Sequence, residues 1–300
     1  MQRAEPLDWL SLVALTVMFG SAFMLIKLAV QELPPSIVAT ARIEVAAILL
    51  LGIALLRKVS FGFLRSSWLL VISLAIFGNC LPFYLISWGQ QKIDSSVAGI
   101  LMAVMPLATI VLARYFVPGE KLKPMQVLGF LSGFGGVLVL LGPAAIAEFG
   151  NSAQVFFPML AVLAGALCYA VNTIIAKHLP DESLLAVSAA VLVIAGLIML
   201  PAWFLTGQDV EIRLFSTGVF SVILLGVFPT AIATLIYFAL IARAGPSFLS
   251  QSNYLIPVWA VFMGTVFLGE PLNIRAYFAL AIILASVALA GRRSPSVNKL

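Results

Sequence analysis

Ten apolar segments, each long enough to cross a lipid bilayer as a helix, make up most of this chain. A spanning helix needs about 20 mostly apolar residues, and every loop between the segments is too short to hold a soluble domain. The sequence therefore predicts an all-α membrane protein with ten transmembrane helices. The segments are Trp9 to Val30, Pro35 to Leu56, Ser67 to Gly89, Ser95 to Phe116, Pro124 to Leu141, Val155 to Lys177, Leu184 to Leu205, Phe215 to Ile241, Pro246 to Leu268 and Ile274 to Ala290.

The composition agrees with a membrane protein. The chain is 62% hydrophobic and 10% charged, whereas soluble domains carry about 25% charged residues. Its net charge of +5 comes from basic residues in the short loops, where membrane topology explains them better than nucleic acid does. We therefore expect the lipid bilayer, and no nucleic acid, as a partner. Cys80 and Cys168 lie inside apolar segments, without the spacing of a metal site or a disulfide.

The distribution of lysine and arginine predicts the orientation. Loops on the side of the N-terminus hold twelve basic residues, and loops on the other side hold four, Lys27, Lys92, Arg213 and Arg275. Basic residues stay preferentially on the cytoplasmic side of a membrane. Both termini are therefore expected to be cytoplasmic.

The chain also repeats a pattern at half its length. In each half, a proline inside an apolar segment is followed by a Gly-Glu-x-Leu loop and then by an apolar segment that ends in glycine. The matching positions are Pro106 and Pro257, Gly119-Glu120 and Gly269-Glu270, and Gly142 and Gly291, at offsets of 151, 150 and 149 residues. Such self-similarity indicates a duplicated unit, with one copy at residues 1–146 and the other at 147–300.

Five spans per unit have a geometric consequence. A unit with an odd number of spans ends on the opposite side of the membrane from where it began, so the second copy enters upside down. Many secondary transporters are built from inverted repeats around a central site. We expect two inverted five-helix repeats around a central cavity, with Gly119-Glu120 on the cytoplasmic side and Gly269-Glu270 on the far side.

The two Gly-Glu-x-Leu motifs, together with Arg42 in the sequence Ala41-Arg42-Ile43, resemble the EamA family of the drug/metabolite transporter superfamily. Within that family the chain is most similar to the bacterial aromatic amino-acid exporters. The resemblance covers almost the whole chain and implies a carrier in the bacterial inner membrane that exports amino acids through a central cavity. A monomer is compatible with this expectation. The seventh segment has no arginine, so Arg42 has no counterpart in the second half.

Prolines and mid-span polar residues supply the candidate site. A proline inside a span frees a backbone carbonyl that only protein or a water-filled cavity satisfies, so the helices of Pro82, Pro106, Pro229 and Pro257 are expected to be broken, to line the cavity and to act as hinges. The alternative is that these prolines only kink packed helices. Candidate substrate contacts are Asn79, Tyr84, Trp88, Met102, Met105, Tyr169, Asn172, Tyr237, Ser250, Asn253 and Tyr254, with Phe83 and Thr230 among further possibilities. Hydroxyls that bond their own helix and aromatics that face lipid are the competing interpretation.

Two charged residues lie well inside a span, Arg42 and Glu44. Being two residues apart on one helix, they point in different directions and are not natural partners. Glu44 is a candidate proton carrier; the alternative, which we favour, is that each residue makes an interhelical bond that fixes packing, with Lys27 as a distant partner. For Glu120 and Glu270 we favour a structural role, in which each carboxylate lies near the start of the following helix.

The function classes follow from these features. A secondary carrier that exports amino acids is favoured, with export of other small metabolites or drugs as the alternative. An intramembrane enzyme is disfavoured because the single histidine, His178, lies at a helix end and no metal-ligand set is present. A channel is disfavoured because the chain has no ring of like charges. The sequence contains no glycine-rich nucleotide loop, so no cofactor and no metal are expected.

Overall fold

The computed structural model describes residues 5–117, 124–147, 153–179, 183–206, 213–249 and 251–291. Helices make up nearly all of these ranges, and no strand occurs within them. Helices satisfy every backbone hydrogen bond within one segment, which a lipid environment requires. The helices are α1 (Pro6–Val30), α2 (Pro35–Leu56), α3 (Leu64–Ala75), α4 (Leu81–Gln90), α5 (Ser95–Met102), α6 (Met105–Phe116), α7 (Pro124–Ala147), α8 (Ala153–Ala176), α9 (Leu184–Thr206), α10 (Thr217–Leu225), α11 (Ala233–Ala244), α12 (Pro246–Leu249), α13 (Ser252–Phe267) and α14 (Ile274–Gly291).

Seven helical stretches in the described ranges are long and apolar enough to span a membrane. Three shorter apolar helices lie where the fifth, ninth and tenth segments were expected. The protein is therefore a multi-pass helical membrane protein. The seven stretches are Pro6–Val30, Pro35–Leu56, Leu64–Gln90, Ser95–Phe116, Gln154–Ala176, Leu184–Leu205 and Thr217–Ala244, and the shorter helices are Pro124–Leu140, Ser252–Phe267 and Ile274–Leu289.

Two spans contain a π-helical segment at matching positions. Ile76–Cys80 joins α3 to α4, and Gly226–Ile232 joins α10 to α11, so the two segments begin 150 residues apart. Pro82 lies in the first turn of α4, directly after the first segment, and Pro229 lies inside the second. A wider π turn accommodates a ring that would otherwise collide with the preceding turn of an α-helix. Both prolines therefore mark a real irregularity in the helix.

The other two prolines differ from each other. A turn at Ala103 and Val104 separates α5 from α6, and Pro106 lies in the first turn of α6. The expectation of a broken helix at Pro257 is wrong, because α13 continues without interruption through this proline.

Helix pairs follow a pattern that is preserved when the two halves of the chain are exchanged. Three pairs join equivalent segments of the two halves: α2 with α9, α5 with α13, and α7 with α14. The remaining large contacts come in equivalent sets. Helices α1 and α8 are the first spans of their halves. Helix α1 packs on α13, and α8 packs on the equivalent helices α5 and α6. Helix α1 also packs on α10 and α11, and α8 packs on the equivalent helices α3 and α4.

One end of the helix assembly is closed by hydrogen bonds between segments; we call it the Glu270 end. The carboxylate of Glu270 accepts hydrogen bonds from Ser95 N at 2.7 Å and Ser96 N at 2.9 Å, at the start of α5. Lys27 Nζ donates to the carbonyls of Gln90, at 3.0 Å, and Ile93, at 2.8 Å. The span formed by α5 and α6 runs from Ser95 to Phe116, about 30 Å at the rise of an α-helix, so Phe116 lies at the opposite end.

A second acidic residue at the Glu270 end binds the start of α10. Glu32 accepts a hydrogen bond from Gly218 N at 2.8 Å, and hydrogen bonds from Ser216 and Gly218 lower the pKa of its carboxyl group, with a smaller contribution from Arg213. At the opposite end, Arg243 Nε lies 3.1 Å from Asp8 Oδ1 and joins α11 to α1.

Candidate functional site

Arg42 lies buried in the middle of α2, between two helices of opposite halves. Its Nε donates a 2.8 Å hydrogen bond to Thr230 Oγ1, and its guanidinium carbon lies 3.8 Å from the centre of the Phe83 ring. Phe83 directly follows Pro82, and Thr230 directly follows Pro229. The residue after the proline in each π-interrupted span therefore contacts the same guanidinium group.

Both contacts fix the orientation of the guanidinium. Thr230 Oγ1 donates its own proton to the carbonyl of Leu225 at 2.7 Å, which leaves a lone pair for Arg42. Phe83 is itself buried, and its ring face attracts the cation, a contact that strengthens when water is excluded. The side chain thus has one edge bonded and one face stacked.

The rest of the guanidinium has no partner in the ranges that the structure describes. There, neither terminal nitrogen of Arg42 donates a hydrogen bond, and no carboxylate lies within 4.0 Å of it. Fully enclosed side-chain atoms without a partner do occur among the described residues, but they are Glu44 Oε1, Gln90 Oε1 and Ser95 Oγ. The terminal nitrogens of Arg42 are not among these enclosed atoms, so they keep accessible surface.

Helix α8 contributes a third wall. Tyr169 lies close enough to interact electrostatically with Arg42 and packs against the two largest hydrophobic cores. Asn172, one turn further along α8, packs on the first π segment, where its Oδ1 lies 2.6 Å from the position that a Cβ on Gly78 would take. We call Arg42, Phe83, Thr230 and Tyr169 the Arg42 cluster, and Asn172, against the neighbouring π segment, lies outside it. Four segments of both halves meet there.

Most other predicted contacts lie outside the Arg42 cluster. Asn79 is half-buried in the first π segment, and its side chain makes no hydrogen bond to the described residues. Tyr84 and Trp88 share an exposed face of α4, with 39% and 38% of each side chain accessible. Ser250 lies outside the described residues. The remaining positions are half-buried or, for Tyr237, partly exposed: Met102, Met105, Tyr237, Asn253 and Tyr254.

Tyr254 has a structural contact, since its hydroxyl donates to the carbonyl of Val287 on α14 at 3.2 Å. Tyr237 stacks edge-on against Phe238, with ring centres 5.5 Å apart.

Glu44 faces a different helix from Arg42. Its Oε1 lies 2.6 Å from the position of a Cβ on Gly196 of α9, so the carboxyl packs against a glycine that leaves room for it. No ion pair joins Arg42 to Glu44 among the described residues. The expectation of Lys27 as a distant partner is wrong, because Lys27 donates to backbone carbonyls at the Glu270 end.

The Gly-Glu loop of the second half has a structural role, but not the expected one. Gly269 adopts a φ of +65°, which favours glycine. Glu270 does not serve the following helix α14; it caps α5 in the first half, and Ser96 Oγ also donates to it at 2.5 Å. Asp94, at the N-cap position of α5, makes no side-chain cap bond. Glu120 lies outside the described residues.

The sequence did not predict which residues contact Arg42 and Glu270. Phe83 and Thr230 were candidates for contact with substrate, yet both hold Arg42, and the available signal was their common place after a proline. The cap of α5 gave no local signal, since its partner lies 175 residues away. Among the described residues no group of three side chains is arranged to bind a metal ion.

Comparisons with known proteins agree with this architecture. The chain is 27% identical over 282 residues to the protein named "Uncharacterized inner membrane transporter YedA" of Escherichia coli K12, which covers 93% of this chain and 89% of that one. It is 26% identical to the "Uncharacterized transporter YvbV" of Bacillus subtilis, over 95% of this chain and 92% of that one. It is also 26% identical to "Protein PagO" of Salmonella typhimurium, over 93% and 90%.

A solved crystal structure shares the fold, with a TM-score of 0.66 at 20% identity, over 96% of this chain and 97% of that one. The family model described as "EamA-like transporter family" matches residues 9–142 and again residues 156–292. Since these two matches cover most of the chain, this protein belongs to the EamA-like transporter family.

Proposed function

We propose that this protein is a secondary transporter that exports amino acids, aromatic ones and others, across the bacterial inner membrane by alternating access. Membership of a transporter family and a relative named as an inner membrane transporter support this proposal. Export of other small metabolites or drugs is the alternative that the same observations allow. An enzymatic function has no support from the family.

The proposed architecture is ten spans in two inverted repeats, residues 1–146 and 147–300, around a central cavity. The preserved helix pairs, the two π segments 150 residues apart and the double family match support the duplication. The inversion is supported by Glu270, which lies at the start of α5, about 30 Å along that span from the residues that precede Gly119-Glu120. In this arrangement both termini are cytoplasmic, and the Glu270 end faces outward.

One structural observation is the main support for the proposed transport cycle. Two π-interrupted helices, one from each half, place the residue after their proline on the same buried guanidinium. π-Helical segments often mark functional sites, and unwound backbone at membrane depth is tolerated where it lines a cavity. We therefore place the substrate beside the Arg42 cluster and the hinges at Pro82 and Pro229, with Pro106 and Pro257 as further hinge candidates.

Counterflow in proteoliposomes tests this function. Vesicles loaded with unlabelled amino acid and diluted into a trace of the labelled compound should accumulate label transiently, because a carrier exchanges cargo in both directions. The panel covers aromatic, aliphatic and charged amino acids, then other small metabolites, with and without a pH gradient. Vesicles that show no exchange for any member would contradict a carrier function, and exchange only of compounds other than amino acids would favour the alternative.

The topology has its own test. Cysteines introduced at Lys121 and Asn273, in the two Gly-Glu loops, should react with an impermeant thiol reagent from opposite sides of the membrane. Cys80 is buried and Cys168 half-buried, so the unsubstituted chain serves as the background control. Labelling of both positions from one side would refute the inverted arrangement.

A further inference from the structure

We propose that Arg42 is the carboxylate-binding group of the transport site, and that the cargo is a small organic carboxylate with an apolar or aromatic body. This inference rests on the proposed transport function, and it names the substrate class of that same site.

The geometry leaves one edge of the guanidinium open. Nε is bonded to Thr230, and one face is covered by Phe83. Both terminal nitrogens lack a partner among the described residues and keep a small accessible surface, on a residue that is 6% exposed. A guanidinium binds a carboxylate through two parallel N–H···O bonds. The open edge therefore fits a carboxylate that meets the two terminal nitrogens end-on.

The charge balance favours an anion. Arg42 is a cation within the membrane span, and no carboxylate of the described chain lies within 4.0 Å of it. Arginine remains protonated in proteins, and an unpaired buried charge is costly. A ligand with one negative charge cancels this charge, whereas a zwitterion leaves the occupied site with a net positive charge.

The neighbours of Arg42 suit an apolar body more than an ammonium group. Phe83 and Tyr169 present ring surfaces, and the hydrogen-bond partner of Arg42 is the Thr230 hydroxyl. Glu44, the other charged residue well inside this span, packs against Gly196 of α9. An amino acid would thus be recognised through its carboxylate, with little gained from its ammonium group. Amino acids and simple carboxylic acids both carry the carboxylate that Arg42 would bind, and the missing contact to the ammonium group distinguishes them.

The competing explanation is that Arg42 only joins α2 to the two π-interrupted spans. A purely structural arginine would affect stability without distinguishing ligands by their charged group. The test therefore compares ligands that share one aromatic body and differ at that group.

The experiment measures ligand-induced thermal stabilisation of the purified full chain in detergent. The probes are 3-phenylpropionate, L-phenylalanine, phenylethylamine and 3-phenylpropionamide, each at millimolar concentration. We expect the apparent Kd of 3-phenylpropionate to be at least about tenfold lower than that of its amide, with L-phenylalanine between them and no stabilisation by the amine. R42Q should abolish the preference for the carboxylate over the amide. R243Q removes an arginine at the far end of α11 and should retain the preference.

Three results would overturn the proposal. They are equal binding of carboxylate and amide, a preference that survives R42Q, and absence of stabilisation by either carboxylate. If R42Q does not fold, the ligand series on the unsubstituted protein still decides, and T230V, which frees Nε, should weaken carboxylate binding several-fold.

Counterflow separates this inference from the transport function. Exchange of labelled cargo that does not depend on a carboxylate would support the carrier function and refute the role of Arg42. Arg42-dependent binding of carboxylates without exchange supports the site and refutes the carrier.

Discussion

Replacing Glu270 by alanine measures how strongly one carboxylate joins the two halves of the chain. Glu270 is 9% exposed and accepts three hydrogen bonds from the start of α5: two from backbone amides and one from Ser96 Oγ. Loss of a helix cap costs about 0.5–2 kcal/mol, and each buried donor left without a partner costs about 1–3 kcal/mol. Because removal of Glu270 also relieves its repulsion of Asp94, we expect a total loss of about 2–4 kcal/mol, near the lower end of the sum of these costs.

The assay is thermal unfolding of the purified protein, followed by tryptophan fluorescence. A loss of this size corresponds to a fall in Tm of about 4–16 °C for a chain of this length class. Glu32→Ala is the matched control, because Glu32 binds the start of α10 in a similar way from an exposed position. Its substitution should lower Tm much less. If the two variants fell equally, or if Glu270→Ala left Tm unchanged, burial of the Glu270 cap would not have the energetic role argued above.

Three further predictions concern the same end and the hinges. Gly264→Ala would place a methyl group against Ser96 Oγ and Glu270 Oε2. It should therefore lower Tm in the unsubstituted chain but lower it much less in a chain that also carries Glu270→Ala, and additive losses would contradict this coupling. The control is Gly52→Ala, whose methyl group meets no neighbour and should be neutral or slightly stabilising. The pKa of Asp94 is raised, first by burial and then by Glu270, so folded chains hold this proton more tightly and stability falls as pH rises through the raised pKa. Asp94→Asn should therefore raise Tm at neutral pH and flatten the Tm–pH curve above pH 4, and an unchanged curve would argue against the effect. Pro229→Ala should reduce counterflow more than it reduces membrane insertion, and equal losses would make Pro229 structural only.

The helical spans were predictable from the sequence because lipid imposes a length and a composition on any segment that crosses it. Pro82 and Pro229 were predictive for a related reason, since a ring inside a span disturbs a regular helix wherever it occurs. The two π segments lie where those prolines predicted irregular helices. At Pro257, in contrast, α13 is uninterrupted. A proline thus marks a possible irregularity, while the packing around it decides the form.

The partners of charged groups were not predictable. Arg42 could be recognised as a buried cation, but its contacts come from residues 41 and 188 positions further along the chain. Glu270 could be recognised as a capping residue, and the nearest helix was a natural choice. The helix whose amides donate to it is α5, in the other half of the chain. Both cases depend on which helices become neighbours in space, and hydrophobic patterns do not encode that information.

The cap on α5 has a consequence for the order in which the chain is made. Ser95 is synthesised 175 residues before Glu270, an interval of roughly 9–35 s at about 5–20 residues per second. Throughout that interval the first amides of α5 await their acceptor inside a partly assembled protein. The start of α5 therefore stays uncapped until Glu270 has been made, and a polypeptide that stops before residue 270 keeps an open helix end.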